Sequence, residues 1–244
     1  MVREPCLRSA QFTMRSIEPG SIEKAVESYL RDEDTRTGSR RRERSWDLCF
    51  THFQKNARPT RVMEASCLHL GYYLASWGML RGSTFLFNET NLMHYKPVIA
   101  TLEEHMVHLR DWDVHEYLDD EKRAHFDAAW DDLGAALLPD GGRQLTLVSK
   151  VMLGVWGCIP SFDTYFCLAF KALSESRSES GAFNRVGADT LRLLHQVWAE
   201  HSDEIDRVRE RFRVWDFASG APTSRMMSRA KVLDIYGFHT ARST

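Results

Sequence analysis

Residues 145–173 read LTLVSKVMLGVWGCIPSFDTYFCLAFKAL, an apolar stretch interrupted by Gly157-Cys158-Ile159-Pro160, with Lys150 before the break and Asp163 after it. Glycine just past a periodic run stops a helix, and proline does not continue one, so the break predicts one apolar helix ending and another beginning. Two apolar helices in succession place this stretch in the core of a helical protein. An amine and a carboxylate then fall where they can meet across a helix start. Plainer readings stay open: Pro-Ser-Phe-Asp before Thr164 is an ordinary N-cap sequence, and Lys150 suits a solvated helix face.

Working outward, apolar residues recur at helical spacing in most other segments. Residues 21–30 begin with a serine N-cap, and 45–56 carry Trp46, Cys49, Phe50 and Phe53 on one stripe. Residues 61–80 are apolar nearly all round, which predicts a central buried helix. Further helices are expected over 94–111, 120–138, 188–201, 202–216 and 224–239, and the last docks through Met227, Val232, Ile235 and Tyr236. Period-two alternation never lasts more than a few residues. The fold class is therefore all-α, with about nine or ten helices, as a single domain or as two lobes at about 20–135 and 136–244 around a cleft.

The 244 residues are 43% apolar, enough for a substantial core. Five scattered cysteines, Cys6, Cys49, Cys67, Cys158 and Cys167, read as reduced thiols, and no secretory leader or membrane-length apolar run is visible, so a cytoplasmic protein is expected. Net charge is −2, but positive residues cluster at 36–45, 207–215 and 224–231 against an acidic run at 111–121. A local patch is sufficient for DNA binding even in a mildly acidic chain. No Gly-rich phosphate loop, zinc spacing or redox cysteine pair is present, so no cofactor, metal or obligate protein partner is expected. The grouping of His105, His108 and His115 is the only one worth weighing for a metal, which His105 and His108 could share with Asp111 or Asp113 assisting.

The order VSKVML (148–153) then PSFDTYF (160–166) resembles the helix-hairpin-helix DNA glycosylases, in which a lysine-bearing turn and helix precede a segment that sets an essential aspartate at the start of the next helix. The resemblance covers roughly 35 residues. It departs from the family where Leu147 and Ser149 replace hairpin glycines and where Lys150 and Asp163 stand some five residues closer than usual; LPDGGRQ (138–144) offers an alternative hairpin with exposed amides for a phosphate. The resemblance implies a DNA partner, base flipping and excision, with Asp163 as the essential carboxylate and Lys150 as a candidate nucleophile. It also implies a role in DNA repair or in antiviral defence, against bulky phage bases such as glucosylated hydroxymethylcytosine. An excised base has to be held against aromatic faces, for which Trp77, Trp156, Phe162 and Tyr165 are the candidates. Arg81, between Gly78 and Gly82, and Ser83, just after Gly82, follow a buried helix and suit a phosphate or base edge. Lys231, Asp234 and Tyr236 in the last helix are further candidates with no fixed location. Two other readings remain: Arg110-x4-His115 resembles the signature of HEPN ribonucleases, and a non-enzymatic helical binding module fits the composition.

Overall fold

The computed structural model describes residues 13–30 and 42–242. Cys6, residues 1–12 of the irregular N-terminus and most of the arginine-rich stretch at 31–44 lie outside the described residues. Among the described residues the chain is mostly helical: α1 (Ser21–Leu30), α2 (Ser45–Lys55), α3 (Met63–Ser76), α4 (Phe85–Asn88), α5 (Tyr95–Leu109) and α6 (Asp120–Leu137) form its first part. There follow α7 (Gln144–Val155), α8 (Thr164–Leu173), α9 (Arg177–Ala182), α10 (Ala188–Glu200), α11 (Ser202–Arg211) and α12 (Arg229–Arg242). A two-stranded antiparallel hairpin, β1 (Arg213–Asp216) and β2 (Ala221–Met226), precedes α12. No helix among the described residues is long and apolar enough to cross a membrane.

The hairpin corrects the reading of 202–216 and 224–239 as uninterrupted helices. β1 takes the last four residues of the first and β2 the first three of the second, with Gly220 turning the chain between them at φ +60°. Strands of four and six residues are too short for alternation to show. Their placement is tertiary: the Trp215 N–H donates to Asp47 Oδ1 of α2 at 3.3 Å, and the Arg44 guanidinium lies 4.5 Å over the Trp215 ring. The short helices α4 and α9 were also not anticipated, so twelve α-helices are described rather than nine or ten. For α9, Ser176 and Glu179 cap each other reciprocally.

Two local expectations also change. The orphan N–H groups at the start of α1 are satisfied by Glu204 of α11, which accepts from Gly20 at 3.1 Å and Glu23 at 2.9 Å, and not by the Ser21 hydroxyl, which turns back to Glu18. α3 is not buried all round. Cys67, Leu70, Tyr73 and Leu74 face the core, whereas Leu68 and Tyr72 are exposed and line an apolar groove with Leu86, Leu92 and Tyr95.

One contiguous core joins the elements, and its N- and C-terminal parts interleave, because α1 and α8 both pack along α12. α7 is central and apolar on nearly every side, as expected, with Lys150 buried in it. Its crossing with α3 depends on Gly154, where a Cβ would stand 2.4 Å from the Tyr73 ring. Gly154→Ala forces that ring aside and is expected to cost about 1–3 kcal/mol, read as a lowered urea midpoint with an unchanged slope.

Between α2 and α3, the His52 and His69 rings stack at 4.2 Å. Burial first, and the charge of His69 second, lower His52 from 6.5 to about 4, and burial lowers His69 too. Neutral in the fold and protonatable in the unfolded chain, the pair makes stability fall as pH drops from about 6.5 toward 4. Asp47 acts oppositely: burial raises it to about 6 despite Arg44, so its contribution is lost as pH rises through 6. A His52→Gln variant should therefore show a shallower acid decline in melting temperature than the wild type, with the difference confined to this window.

Candidate functional site

Helix α7 ends at Gly157, whose φ of +68° lets its N–H close on the Met152 and Leu153 carbonyls at 3.0 and 3.1 Å. A side chain is excluded here twice over, since a Cβ would also sit 2.9 Å from the Phe50 ring and from Ser228 Oγ. The chain from 158 to 163 is then tied down group by group. Tyr117 donates to the Cys158 carbonyl at 2.7 Å, the Ser161 N–H donates to Asp234 Oδ1 at 3.0 Å, and the Phe162 N–H donates to Ser149 Oγ at 2.9 Å. Thr146 Oγ1 completes the set by donating to the Phe162 carbonyl at 2.9 Å. Ser149 and Thr146 thus link α7 to the approach of α8 with no hairpin glycine at 147 or 149.

This anchoring delivers Asp163 to the N-cap of α8, where Oδ1 accepts the Phe166 N–H at 3.0 Å. Its other oxygen, Oδ2, accepts from Lys150 Nζ at 3.2 Å. Asp163 is therefore both a cap and one half of an ion pair. Lys150 is only 4% exposed and is no solvated surface residue. Its Nζ lies 5.7 Å from the centroid of Trp77.

The pair forms the floor of a cleft of about 1010 Å³. One wall comes from residues 42–86, the other from 138–165 and α12. Trp77, Arg81, Ser83 and Tyr165 all line it, together with Lys150 and Asp163, so six of the residues singled out in the sequence come together. The other two do not. Trp156 and Phe162 are each 1% exposed; Phe162 packs on Phe166 and Phe183, and Trp156 is enclosed in the core at the end of α7. Aromatic residues next to the break were drawn inward by their apolar area, which outweighs their proximity in sequence to the charged pair.

Several lining residues were not anticipated. Arg42, Arg143 and Arg242 join Arg81 and Lys150 around the cleft, giving five cations against the single carboxylate of Asp163. Arg42 stands 4.9 Å over the Trp77 ring, and the Trp77 Nε1–H donates to Ser45 Oγ at 3.1 Å, which holds the indole from its far end. Gly141 and Gly142, both with positive φ in the turn between α6 and α7, also line the cleft, so LPDGGRQ does reach it.

A second, much smaller chamber of about 10 Å³ shares Trp77, Lys150, Asp163 and Phe238 with the cleft. A second amine and carboxylate line it: Lys231 Nζ donates to Asp234 Oδ2 at 2.8 Å, and Lys231 is 3% exposed. The Lys231 ammonium also lies 5.4 Å from the Tyr29 and Trp46 ring centroids. Burial first and the Asp234 charge second push the Tyr29 and Tyr73 phenols well above their usual range, so both remain hydroxyls. Tyr236, the third candidate in α12, instead packs edgewise on Phe170.

The remaining candidates are engaged elsewhere. The Arg110 guanidinium donates to the side-chain and backbone oxygens of Gln54, while His115 packs on Trp198. His105 pairs with Asp132 at 2.8 Å and His108 stacks on His125 at 3.7 Å. No group of three metal-ligating side chains occurs among the described residues, and the four described cysteines are free thiols. Compared with models of known protein families, with curated proteins and with solved structures, the chain matches none of them.

Proposed function

We propose that the protein is a DNA glycosylase of helix-hairpin-helix type, which flips a damaged or modified base into the cleft and hydrolyses its N-glycosidic bond. The observation that carries the reading is the Lys150–Asp163 pair on the floor of a cleft lined by four arginines. Two cleft walls drawn from the two halves of the chain suit the two-lobed arrangement that the resemblance implies. The LPDGGRQ turn, where Gly141 and Gly142 flank Arg143 beside the cleft, suits a phosphate contact.

Cleavage of the bond develops positive charge on the deoxyribose, and a fixed carboxylate facing that charge stabilises it or takes the proton of an attacking water. Asp163 supplies the carboxylate, oriented at both oxygens by the Phe166 N–H and by Lys150. Lys150 acts as its positioning partner, since an amine that donates to a carboxylate 3.2 Å away is not a free nucleophile. Trp77 and Tyr165 offer faces for the extruded base, and Arg42, Arg81, Arg143 and Arg242 offer charge for the phosphates around it. A cleft of about 1010 Å³ has room for a bulky substituent such as the glucosyl group of a phage cytosine.

The test incubates the protein with duplexes carrying damaged bases and with phage DNA bearing modified cytosines, followed by heating in alkali. Alkali-labile abasic sites are expected, with no covalent adduct trapped by borohydride. Strand nicking before alkali together with a trapped adduct would instead make Lys150 the nucleophile.

A further inference from the structure

We propose that the inner chamber is a specificity subsite that reads a hydroxyl group carried by a substituent of the extruded base, through Tyr29, Ser161 and the Lys231–Asp234 pair. The inference rests on the glycosylase reading and assigns that site a substrate class. At about 10 Å³ the chamber admits a single oxygen-sized group. Tyr29 and Ser161 line it, are 6% and 2% exposed, and their hydroxyls have no hydrogen-bond partner among the described residues. A buried hydroxyl without a partner is costly, so a ligand group that satisfies both is favoured over one that satisfies neither.

The charged pair narrows the chemistry. Lys231 only donates and the Asp234 carboxylate only accepts, and each already uses one bond on the other. A carbonyl entering the chamber would turn lone pairs toward Asp234, and an amino group would turn N–H bonds toward Lys231. A hydroxyl donates to one and accepts from the other. Tyr73, Trp77 and Phe238 supply apolar walls for the carbon that bears it. The chamber and the cleft share Trp77, Lys150, Asp163 and Phe238, so a polar atom on the substituent of a base seated on Trp77 lies next to it.

The experiment measures binding of duplexes containing one 5-methyl-, 5-hydroxymethyl- or glucosyloxymethyl-cytosine, each on a 2′-fluoro sugar that blocks cleavage. At least one hydroxylated duplex should bind about tenfold or more tighter than the methyl duplex. Tyr29→Phe with Ser161→Ala should bring the ratio close to one, and Tyr29→Phe alone, which removes a single oxygen, reduces it if the double variant does not fold. The two hydroxylated duplexes distinguish a hydroxymethyl from a sugar hydroxyl as the group read. Equal binding of all three duplexes, no duplex binding, or a preference that survives the substitutions overturns the subsite. Base release from ordinary sugars, measured beside it, separates the two ideas: release without preference sinks the subsite alone, and preference without release sinks the glycosylase reading.

Discussion

Replacing Asp163 with asparagine should lower base excision at least ~100-fold, and should lower the melting temperature only through the lost charge partner of the buried Lys150, with α8 still capped. Asparagine caps a helix about as well as aspartate, so the bond from the Phe166 N–H survives and α8 keeps its start. What is lost is the negative charge that holds the Lys150 ammonium 3.2 Å away and that is proposed to face the sugar. The variant therefore separates the two roles that the geometry gives this residue. An N-cap alone would leave excision intact, and abasic-site formation at equal rates by both proteins would remove Asp163 from the chemistry.

The second large effect lies outside the cleft. Asp113 is buried before α6 and accepts three backbone N–H groups: Val114 at 2.8 Å, Arg229 at 2.7 Å and Ala230 at 2.9 Å. The last two open α12, so this carboxylate caps the helix that carries Lys231, Asp234 and Phe238. Asp113→Ala leaves those N–H groups buried without an acceptor and should cost about 2–4 kcal/mol, seen as a lowered denaturant midpoint. Because α12 forms one wall of the chamber, excision should weaken along with stability. A stable but inactive variant would contradict a capping role.

The helical class and most helix positions were legible because apolar periodicity is strong wherever a helix buries one face: α1, α2, α5, α6 and α10 fall within a residue or two of their expected limits. The hairpin was not legible, since β1 and β2 are held by contacts to α2 that no local window contains. The site divides the same way. Lys150 and Asp163 stood out because charge is rare in so apolar a stretch, Arg81 and Ser83 because small residues flank them after a buried helix, and Trp77 as an aromatic face near the motifs. Arg42, Tyr29 and Phe238 come from opposite ends of the chain, and only the packing of α1 on α12 brings Tyr29 to the chamber. Lys231 and Asp234 carried a sequence signal, an amine and a carboxylate three residues apart in a helix, but its location depended on the Ser161 N–H that Asp234 binds.

If Asp163 is the carboxylate with which this chain breaks an N-glycosidic bond in DNA, a free base must leave the duplex. The most direct measurement is mass spectrometry of the small molecules released from modified phage DNA and from damaged duplexes by the wild type and by Asp163→Asn. A free base in amounts equal to the abasic sites formed is expected from the wild type, and its loss from the variant. Bound DNA from which no base is ever released, or equal release by both proteins, would contradict it.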